Sequence, residues 1–234
     1  MKFALIGFGA MNSMVSALAR RNDHEVGLVL TSKDTSRSPE ELAERLAGHD
    51  VAVDFSTASA VTGSIRACAL AGVPLVEGTT GWKEQEEVAR RIIEEHDGAL
   101  VYGANFSIGV NLFYRVVSYA AALFQKSQVY HPFIEEAHHA RKRDAPSGTA
   151  LHLRGLLAEH FDAQAISVAS TRAGHIPGTH RVGFDGTADQ ILLTHEARSR
   201  EGFANGALLA ARWIVGRKGV YEFSDVMDDI LRKG

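Results

Sequence analysis

Residues 2–12 read Lys2-Phe3-Ala4-Leu5-Ile6-Gly7-Phe8-Gly9-Ala10-Met11-Asn12, and this stretch decides the fold. The apolar run Lys2–Ile6 predicts a buried strand, and a helical pattern begins directly after the two glycines. Glycine permits a tight turn and a close approach of the backbone to a pyrophosphate, which the positive end of the following helix attracts. Gly7 and Gly9 therefore predict a dinucleotide-binding turn, although Asn12 replaces the third glycine of the motif. A tight turn without a ligand is the alternative interpretation.

The end of the second predicted strand bears on the choice of cofactor. An acidic residue at this place would bind the ribose 2′-hydroxyl of NAD, but none occurs before Asp34. Thr31, Ser32 and Lys33 instead suit a 2′-phosphate, so we expect use of NADPH, with tolerance for NADH. An ordinary solvated charge is the alternative interpretation of Lys33.

Short apolar runs alternate with helical patterns through the first hundred residues. Strands are expected at Lys2–Ile6, Glu25–Leu30, Val51–Phe55, Pro74–Val76 and Ala99–Tyr102, and helices at Met11–Arg21, Pro39–Leu46, Ala58–Ala71 and Trp82–His96. This alternation predicts βαβ units and a parallel sheet. Ligands of such sheets bind at the carboxyl ends of the strands, where Gly78-Thr79-Thr80-Gly81 and Gly103-Ala104-Asn105-Phe106-Ser107 form two further turns. Each of these turns, taken alone, is also compatible with an ordinary loop.

The pattern changes after about Asn105. A helix, Val110–Gln125, and a strand, Gln128–Glu135, are followed by a charged loop, Glu136–Ser147, and another helix, Thr149–Glu159. The alternating segments Ile166–Ser170, Thr179–Phe184 and Asp189–Glu196 then predict antiparallel strands with one exposed face. The predicted class is α/β, with a Rossmann-type doubly wound parallel sheet in a dinucleotide-binding domain, residues 1–106. A second, α+β domain spans residues 107–203, and we expect residues 204–234 to join the first domain.

The composition excludes several classes of protein. A net charge of −3 provides no basic field for nucleic acid or an anionic membrane, and no apolar stretch is long enough to cross a bilayer. The single cysteine, Cys68, lies in an apolar helical pattern, which indicates a packed thiol in a reducing cytoplasm. Eight of the eleven histidines lie between His131 and His195, together with several arginines and lysines. This local concentration of cationic side chains favours a small anionic ligand.

Residues 135–150 combine two histidines, three cations and a helix start: Glu135-Glu136-Ala137-His138-His139-Ala140-Arg141-Lys142-Arg143-Asp144-Ala145-Pro146-Ser147-Gly148-Thr149-Ala150. The unpaired N–H groups of the helix start at Ser147 suit a carboxylate. Lys142 and His139 can complete a pocket for a dianion, and His138 can exchange a proton near neutral pH. A metal site, a solvated charged loop and a plain helix start are the alternatives. We expect no metal, because a third ligand at metalloprotease spacing is absent.

The same stretch closely resembles the signature of the 4-hydroxy-tetrahydrodipicolinate reductases, also called dihydrodipicolinate reductases. Further segments resemble this family in the expected order: Asp54-Phe55-Ser56, Gly78-Thr79-Thr80-Gly81, residues 105–111, residues 194–200 and residues 203–207. The resemblance covers nearly the whole chain. It implies NAD(P)H-dependent reduction of a small cyclic dicarboxylate imine in lysine and diaminopimelate biosynthesis, by a homotetramer whose second domain binds substrate and forms the oligomer.

The resemblance also implies roles for individual residues. His138 would be the proton donor or acceptor and Lys142 the second catalytic group. His139, Gly148 and Thr149 would bind the substrate carboxylates, with Ser147 and Arg200. The cofactor would be lined by Gly7, Phe8, Gly9, Ala10, Met11, Asn12, Lys33, Gly78, Thr79, Thr80, Gly103, Ala104, Asn105 and Phe106. Many members have glycine where this chain has Asn12, and a frequent arginine of that loop is missing, so the cofactor preference stays open.

Three other functions stay open from the sequence. The first is a different Rossmann reductase, such as an amino-acid dehydrogenase that acts on a dicarboxylate. The second is a regulatory protein that binds NAD(P) without turnover, which the presence of His138, Lys142 and the Gly148-Thr149 pair opposes. The third is a metal-dependent hydrolase, which a chelator would inactivate.

Overall fold

The structure is a computed structural model that describes residues 1–34 and 37–233. The chain divides into two compact units. The first unit comprises Met1–Ile108 and Glu201–Gly234, and the second comprises Gly109–Arg200. No helix in the described part of the chain is long and apolar enough to cross a membrane.

The first unit is built on a parallel sheet of six strands among the described residues. The strands are β1 (Lys2–Ile6), β2 (Glu25–Leu30), β3 (Val51–Asp54), β4 (Leu75–Glu77), β5 (Ala99–Tyr102) and β10 (Gly219–Glu222). The helices are α1 (Ala10–Arg21), α2 (Pro39–Leu46), α3 (Val61–Ala71), α4 (Glu86–Glu95), α7 (Glu201–Ile214) and α8 (Phe223–Lys233). The spatial order β10-β5-β4-β3-β1-β2 reverses direction at β1, as in a doubly wound sheet.

Local chemistry explains where these elements begin and end. Ser38 caps α2 with a capping box to Glu41, and Pro39 occupies the first turn, where its missing N–H costs nothing. Gly72 ends α3 in the left-handed conformation, with φ of +66°. The central strands are mostly apolar, and hydrophobic clusters pack against the sheet from helices on both faces.

The second unit is a smaller mixed sheet with two helices. It contains α5 (Ile108–Ser127), β6 (His131–His138), α6 (Gly148–Ala158), β7 (Ser167–Arg172), β8 (Thr179–Asp185) and β9 (Gln190–Glu196), with strand order β7-β6-β8-β9. The expected antiparallel arrangement is correct for β8 and β9 but wrong for β7, which is parallel to β6. The reason is topological, since α6 forms the crossover that a parallel pair requires. The predicted α/β class, with a Rossmann-type sheet and a second α+β unit, is confirmed.

Strand β6 differs from the expectation in a way that matters for the site. The sequence predicted a strand ending at Glu135 and a charged loop from Glu136 onwards, whereas β6 continues to His138. Glu136 and His138 are two positions apart and therefore lie on the same, buried face of the strand, with 2% and 8% of their surface exposed. In the sequence these polar residues are typical of a solvated loop, whereas in the structure their side chains contact partners inside the second unit.

Candidate active site

The turn after β1 leaves a helix start open. Gly7 has φ of +77°, and a Cβ atom there would lie 2.8 Å from Cα of Ser56, so only glycine fits. Gly9 is the N-cap of α1 and provides no side-chain cap, while the first turn of α1 contains no acidic residue. Phe8, Gly9 and Ala10 are exposed. The N–H groups of α1 therefore form a place for an anion at the carboxyl edge of the sheet.

Asn12 supports this turn from inside the protein. It is fully buried, and its Nδ2 lies 2.8 Å from the carbonyl oxygen of Ile6, 2.7 Å from that of Gly7 and 3.3 Å from that of Val53. The amide therefore ties the end of β1 to β3. Met11, beside it, is partly buried against the core.

The segment after β2 contains a short network of charges. Asp34 accepts hydrogen bonds from the N–H group of Thr31 at 2.8 Å and from its hydroxyl at 2.9 Å, and it pairs with Arg45. The Thr31 N–H group and Arg45 hold the pKa of Asp34 well below its ordinary value. The carboxylate of Asp34 is thus bound by Thr31 and Arg45, while Lys33 lies exposed beside it.

Two more turns follow neighbouring strands at the same edge. A Cβ atom at Gly78, after β4, would lie 2.1 Å from the Phe55 ring, so the close packing of these loops requires glycine. Thr79, which is partly buried, and Thr80, which is exposed, follow Gly78. After β5, Gly103 packs on Phe223, and Phe106 is buried. Ala104 is exposed, and Asn105 accepts a hydrogen bond from the Ser107 N–H group at 2.8 Å.

In the second unit, Glu136 lies between the guanidinium of Arg172 and the imidazole of His138. Arg172 Nη2 donates to Glu136 Oε1 at 2.6 Å, and Nδ1 of His138 contacts Glu136 Oε2. Burial raises the pKa of Glu136, but Arg172, Ser170 and His138 outweigh this effect and leave the pKa at about 2. Burial lowers the pKa of His138, and Glu136 opposes that shift. The carboxylate is therefore held ionised beside an imidazole that is neutral at rest.

A second imidazole closes the cluster from β8. His180 is the register partner of Glu136, and its ring stands edge-on to His138 with centroids 5.0 Å apart. Burial and the neighbouring His138 lower the pKa of His180 to about 4. Its Nε2 lies 3.1 Å from Oγ of Ser147, which also accepts a hydrogen bond from the Ala150 N–H group at 3.2 Å. Neutral His180 therefore links His138 to the start of α6.

The other residues predicted to act on the substrate also lie in the second unit. Lys142 Nζ pairs with Asp144 Oδ1 at 2.8 Å, and the Lys142 side chain is 24% exposed. His139 follows the last residue of β6 and is partly buried. Gly148 and Thr149 form the first turn of α6, where Gly148 is exposed. Arg200 is exposed after β9, as the last residue of the second unit.

Three residues of the cluster were not singled out from the sequence: Arg172, His180 and Gly178. A Cβ atom at Gly178 would lie 3.2 Å from Nε2 of His138, so glycine leaves that nitrogen room. Arg172 also donates to the carbonyl oxygen of Asp144 at 2.5 Å, which connects β7 to the charged loop. The alternation of buried positions along β6 would have placed Glu136 beside His138 if the strand had been extended. No local signal identifies the other residues, because they come from different strands.

Glu136, His138 and His180 also satisfy the distance condition for a metal site, since one ligand atom from each lies within 4.8 Å of the others. Arg172 already occupies one oxygen of Glu136. Lys142 is close enough to lower the pKa of both histidines. These cations oppose a divalent ion, so the arrangement favours proton exchange. The absence of a metal stays a prediction.

Family models match both halves of the chain. Residues 1–106 match the N-terminal model of dihydrodipicolinate reductase, and residues 109–227 match its C-terminal model. Among curated proteins, the 4-hydroxy-tetrahydrodipicolinate reductase of Christiangramia forsetii is 33% identical over 243 residues, which cover 99% of this chain and 100% of that protein. The enzyme of the same name from Thiobacillus denitrificans is 40% identical over 203 residues, or 78% of this chain and 74% of that one.

A solved structure shares the fold over nearly the full length. The dipicolinate-bound dihydrodipicolinate reductase from Paenisporosarcina sp. superposes with a TM-score of 0.80 at 23% identity, covering 96% of this chain and 98% of that one. Together, the two family models and the full-length relative show that the chain belongs to the dihydrodipicolinate reductase family.

Proposed function

We propose that this chain reduces 4-hydroxy-tetrahydrodipicolinate, or its dehydrated form dihydrodipicolinate, to tetrahydrodipicolinate with NADPH or NADH, in lysine and diaminopimelate biosynthesis. Membership of the family and the names of the relatives support the reaction. The observation in this molecule that carries the proposal is the buried Glu136–His138–His180 cluster next to the start of α6. A proton-exchanging group beside a helix start suits an anionic substrate that must be protonated.

The first unit holds the dinucleotide in this proposal. The open start of α1 at Gly7, Phe8, Gly9 and Ala10 suits the pyrophosphate, because its N–H groups have no side-chain cap. Asn12 and Met11 support that turn from below. We assign Lys33 to the 2′-phosphate of NADPH. The turns Gly78-Thr79-Thr80 and Gly103-Ala104-Asn105-Phe106 line the same edge, and the bound dinucleotide supplies the hydride.

Substrate binding is assigned to the second unit. The N–H groups of Gly148 and Thr149 at the exposed start of α6 suit one carboxylate, and His139 and Arg200 supply further positive or polar groups. Ser147 has its hydroxyl engaged by Ala150 and His180, so we assign it to ordering the helix start.

His138 supplies or accepts the proton, because Gly178 leaves its Nε2 room while Glu136 holds the opposite nitrogen. A dianionic substrate adds negative charge near the ring and raises the pKa of His138, so the imidazole gains a proton when the substrate binds. Lys142 stabilises the negative charge that develops on the imine nitrogen. Glu136 orients His138 and compensates its charge when protonated.

A coupled spectrophotometric assay tests the proposal. Dihydrodipicolinate synthase generates the substrate from pyruvate and aspartate semialdehyde, and the absorbance of NADPH and NADH is followed in separate reactions. Substrate-dependent oxidation supports the reductase, and the ratio of the two rates measures the contribution of Lys33. If the folded protein binds a dinucleotide but oxidises neither, the proposal is wrong. Oxidation of meso-diaminopimelate or aspartate with NAD(P) would then indicate an amino-acid dehydrogenase.

We also propose that the chain forms a homotetramer through its second unit. Exposed apolar side chains support this, among them Tyr119 on α5, 71% exposed, and Leu192 on β9. Apolar patches of this kind mark protein contacts. Light scattering coupled to size-exclusion chromatography would give four times the chain mass of 25.3 kDa, and a monomer mass would contradict the proposal.

A further inference from the structure

Two carboxyl groups meet inside the first unit. Asp54 is the last residue of β3, Glu77 is the last residue of β4, and the two are register partners in adjacent parallel strands. Both are fully buried. The neighbours whose polar groups act on the pKa of the two carboxyls are Ser56, Ser64 and Thr79, and each carboxyl also acts on the other.

Each carboxyl holds the start of the loop that follows its strand. The Ser56 N–H group donates to Asp54 Oδ1 at 2.7 Å, and the Thr79 N–H group donates to Glu77 Oε1 at 2.7 Å. The second oxygens, Oδ2 and Oε2, are buried and have no hydrogen-bond partner among the described residues, and the two carboxyls lie close enough for each to act on the pKa of the other. A hydrogen bond between two carboxyl groups requires one proton on the pair.

The surroundings allow no more than one negative charge. Burial raises the pKa of both carboxyls, and the neighbouring Asp54 raises that of Glu77 further. The thiol of Cys68 on α3 also faces the pair, and burial together with the two carboxyls raises its pKa, so it stays neutral. Two adjacent carboxylates cannot both ionise in such a place, and the proton belongs to the pair.

The loop after β3 contacts both the turn after β1 and the loop after β4. A Cβ atom at Gly7 would lie 2.8 Å from Cα of Ser56, and one at Gly78 would lie 2.1 Å from the Phe55 ring. The loop after β3 is therefore packed between the Gly7 turn and the loop after β4. A displacement of either carboxyl would therefore also displace the adjacent loops, because closely packed atoms cannot move independently.

We propose that Asp54 and Glu77 act as one positioning unit: they share a single proton, and the resulting O–H···O bond holds the loops after β3 and β4 in place for dinucleotide binding. This inference rests on the proposed function, which assigns those loops to the cofactor. The pair does not touch the reacting atoms, so neither residue is a catalytic residue.

The test uses the full-length chain and the variants Asp54→Asn, Glu77→Gln and the double variant. In each single variant the amide oxygen can accept the backbone N–H group, and the NH₂ group can donate to the remaining carboxylate. We expect the dissociation constants of NADPH and NADH to stay within about twofold of the parent, so that additive effects would weaken binding by no more than about fourfold in the double variant. In the double variant two NH₂ groups face each other, so we expect binding weakened by about tenfold or more. Ordinary buried polar residues would instead give additive effects.

Infrared spectroscopy and pH provide a second readout. The parent should show the C=O stretch of a protonated carboxylic acid at neutral pH, and Glu77→Gln should lose it, while the surface control Glu84→Gln should retain it. The native state holds a proton that the unfolded chain releases, because the pKa of Glu77 is raised above its ordinary value of 4.5. The melting temperature of the parent should therefore fall as pH rises above that value, and Glu77→Gln should reduce this dependence.

The outcomes separate the inference from the proposed function. A folded parent that binds neither dinucleotide would overturn the proposed function and the role of the loops, while the infrared band still decides whether the proton is shared. A parent that binds the cofactor, with a double variant whose loss is the product of the two single losses, would overturn the inference. Absence of the carboxylic acid band would also overturn it. If the double variant does not fold, the infrared band and the single variants decide whether the two carboxyls share a proton.

Discussion

Replacing Glu136 with glutamine tests the buried carboxylate between Arg172 and His138. Burial raises the pKa of Glu136, yet its partners lower it from 4.5 to about 2. A lowered native pKa stabilises the fold above the ordinary pKa, and this stabilisation is lost as the pH falls toward the native pKa. Each pKa unit is worth about 1.4 kcal/mol, so ionised Glu136 contributes about 3 kcal/mol to the free energy of unfolding at pH 7 and about 1 kcal/mol at pH 3.

Glutamine has the shape of the protonated acid, so Glu136→Gln should lose about 3 kcal/mol at pH 7 and about 1 kcal/mol at pH 3. Glu135→Gln is the matched control, because Glu135 precedes Glu136 on the same strand and pairs with Arg181 at 3.5 Å, with about half of each side chain exposed. An exposed pair of this kind contributes about 0–1 kcal/mol. Urea unfolding of the parent and both variants at the two pH values, followed by circular dichroism, measures these differences.

Two results would refute the reasoning. The first is a loss at pH 7 as small as that of Glu135→Gln, since Glu136 would then not be a stabilised buried anion. The second is an equal loss at pH 3 and pH 7, since the effect would then come from packing. In the coupled assay, Glu136→Gln should also lower kcat, because a neutral amide compensates protonated His138 less well.

Three further substitutions, with one control, have defined outcomes. His138→Ala should lower kcat by about 10²–10⁴-fold and leave dinucleotide affinity unchanged, and an unchanged kcat would eliminate its assigned role. Thr149→Val keeps the backbone N–H group and removes the side-chain hydroxyl beside it, so KM should rise by about three- to thirtyfold with kcat nearly constant, whereas a change confined to kcat would argue against carboxylate binding there. Gly178→Ala brings Cβ to 3.2 Å from Nε2 of His138 and should reduce kcat about tenfold or more. The control is Gly155→Ala, where the new Cβ lies in open space on α6, so kcat should stay unchanged and the fold should gain about 0.5–1 kcal/mol of stability. Equal kinetics in both variants would contradict the role of Gly178.

Much of the first unit could be predicted because its signals are local. The bounds of β1, β2, β5 and α2 agree with the expectation. All four contain an apolar pattern, and a glycine follows β1 and β5, while a serine cap and a proline begin α2. The mixed pairing of the second sheet could not be predicted in the same way. Whether β7 lies parallel or antiparallel to β6 depends on the path of α6, which residue alternation along a strand does not record.

The departures from local rules are informative as well. Asn12 breaks the glycine motif in the sequence, and only the structure shows its amide within hydrogen-bond distance of three carbonyl oxygens of β1, β3 and the turn between β1 and α1. Glu136 was assigned to a solvated loop because its partner Arg172 lies 36 residues further along the chain. Charged residues whose partners lie far away along the chain resemble solvated residues when only the adjacent sequence is considered.

The doubly wound first unit, the open helix starts and the family can be read from the amino-acid sequence, because periodicity, glycine geometry and a long motif are properties of adjacent residues. Which titratable groups meet depends on the folded chain. His138 contacts Glu136 two positions earlier on one strand, but His180 and Gly178 reach it from elsewhere in the chain. Likewise, Asp54 and Glu77 become one protonated pair only when β3 and β4 lie side by side. Proton affinity depends on distance and burial, and both are set when strands far apart in the chain are brought together.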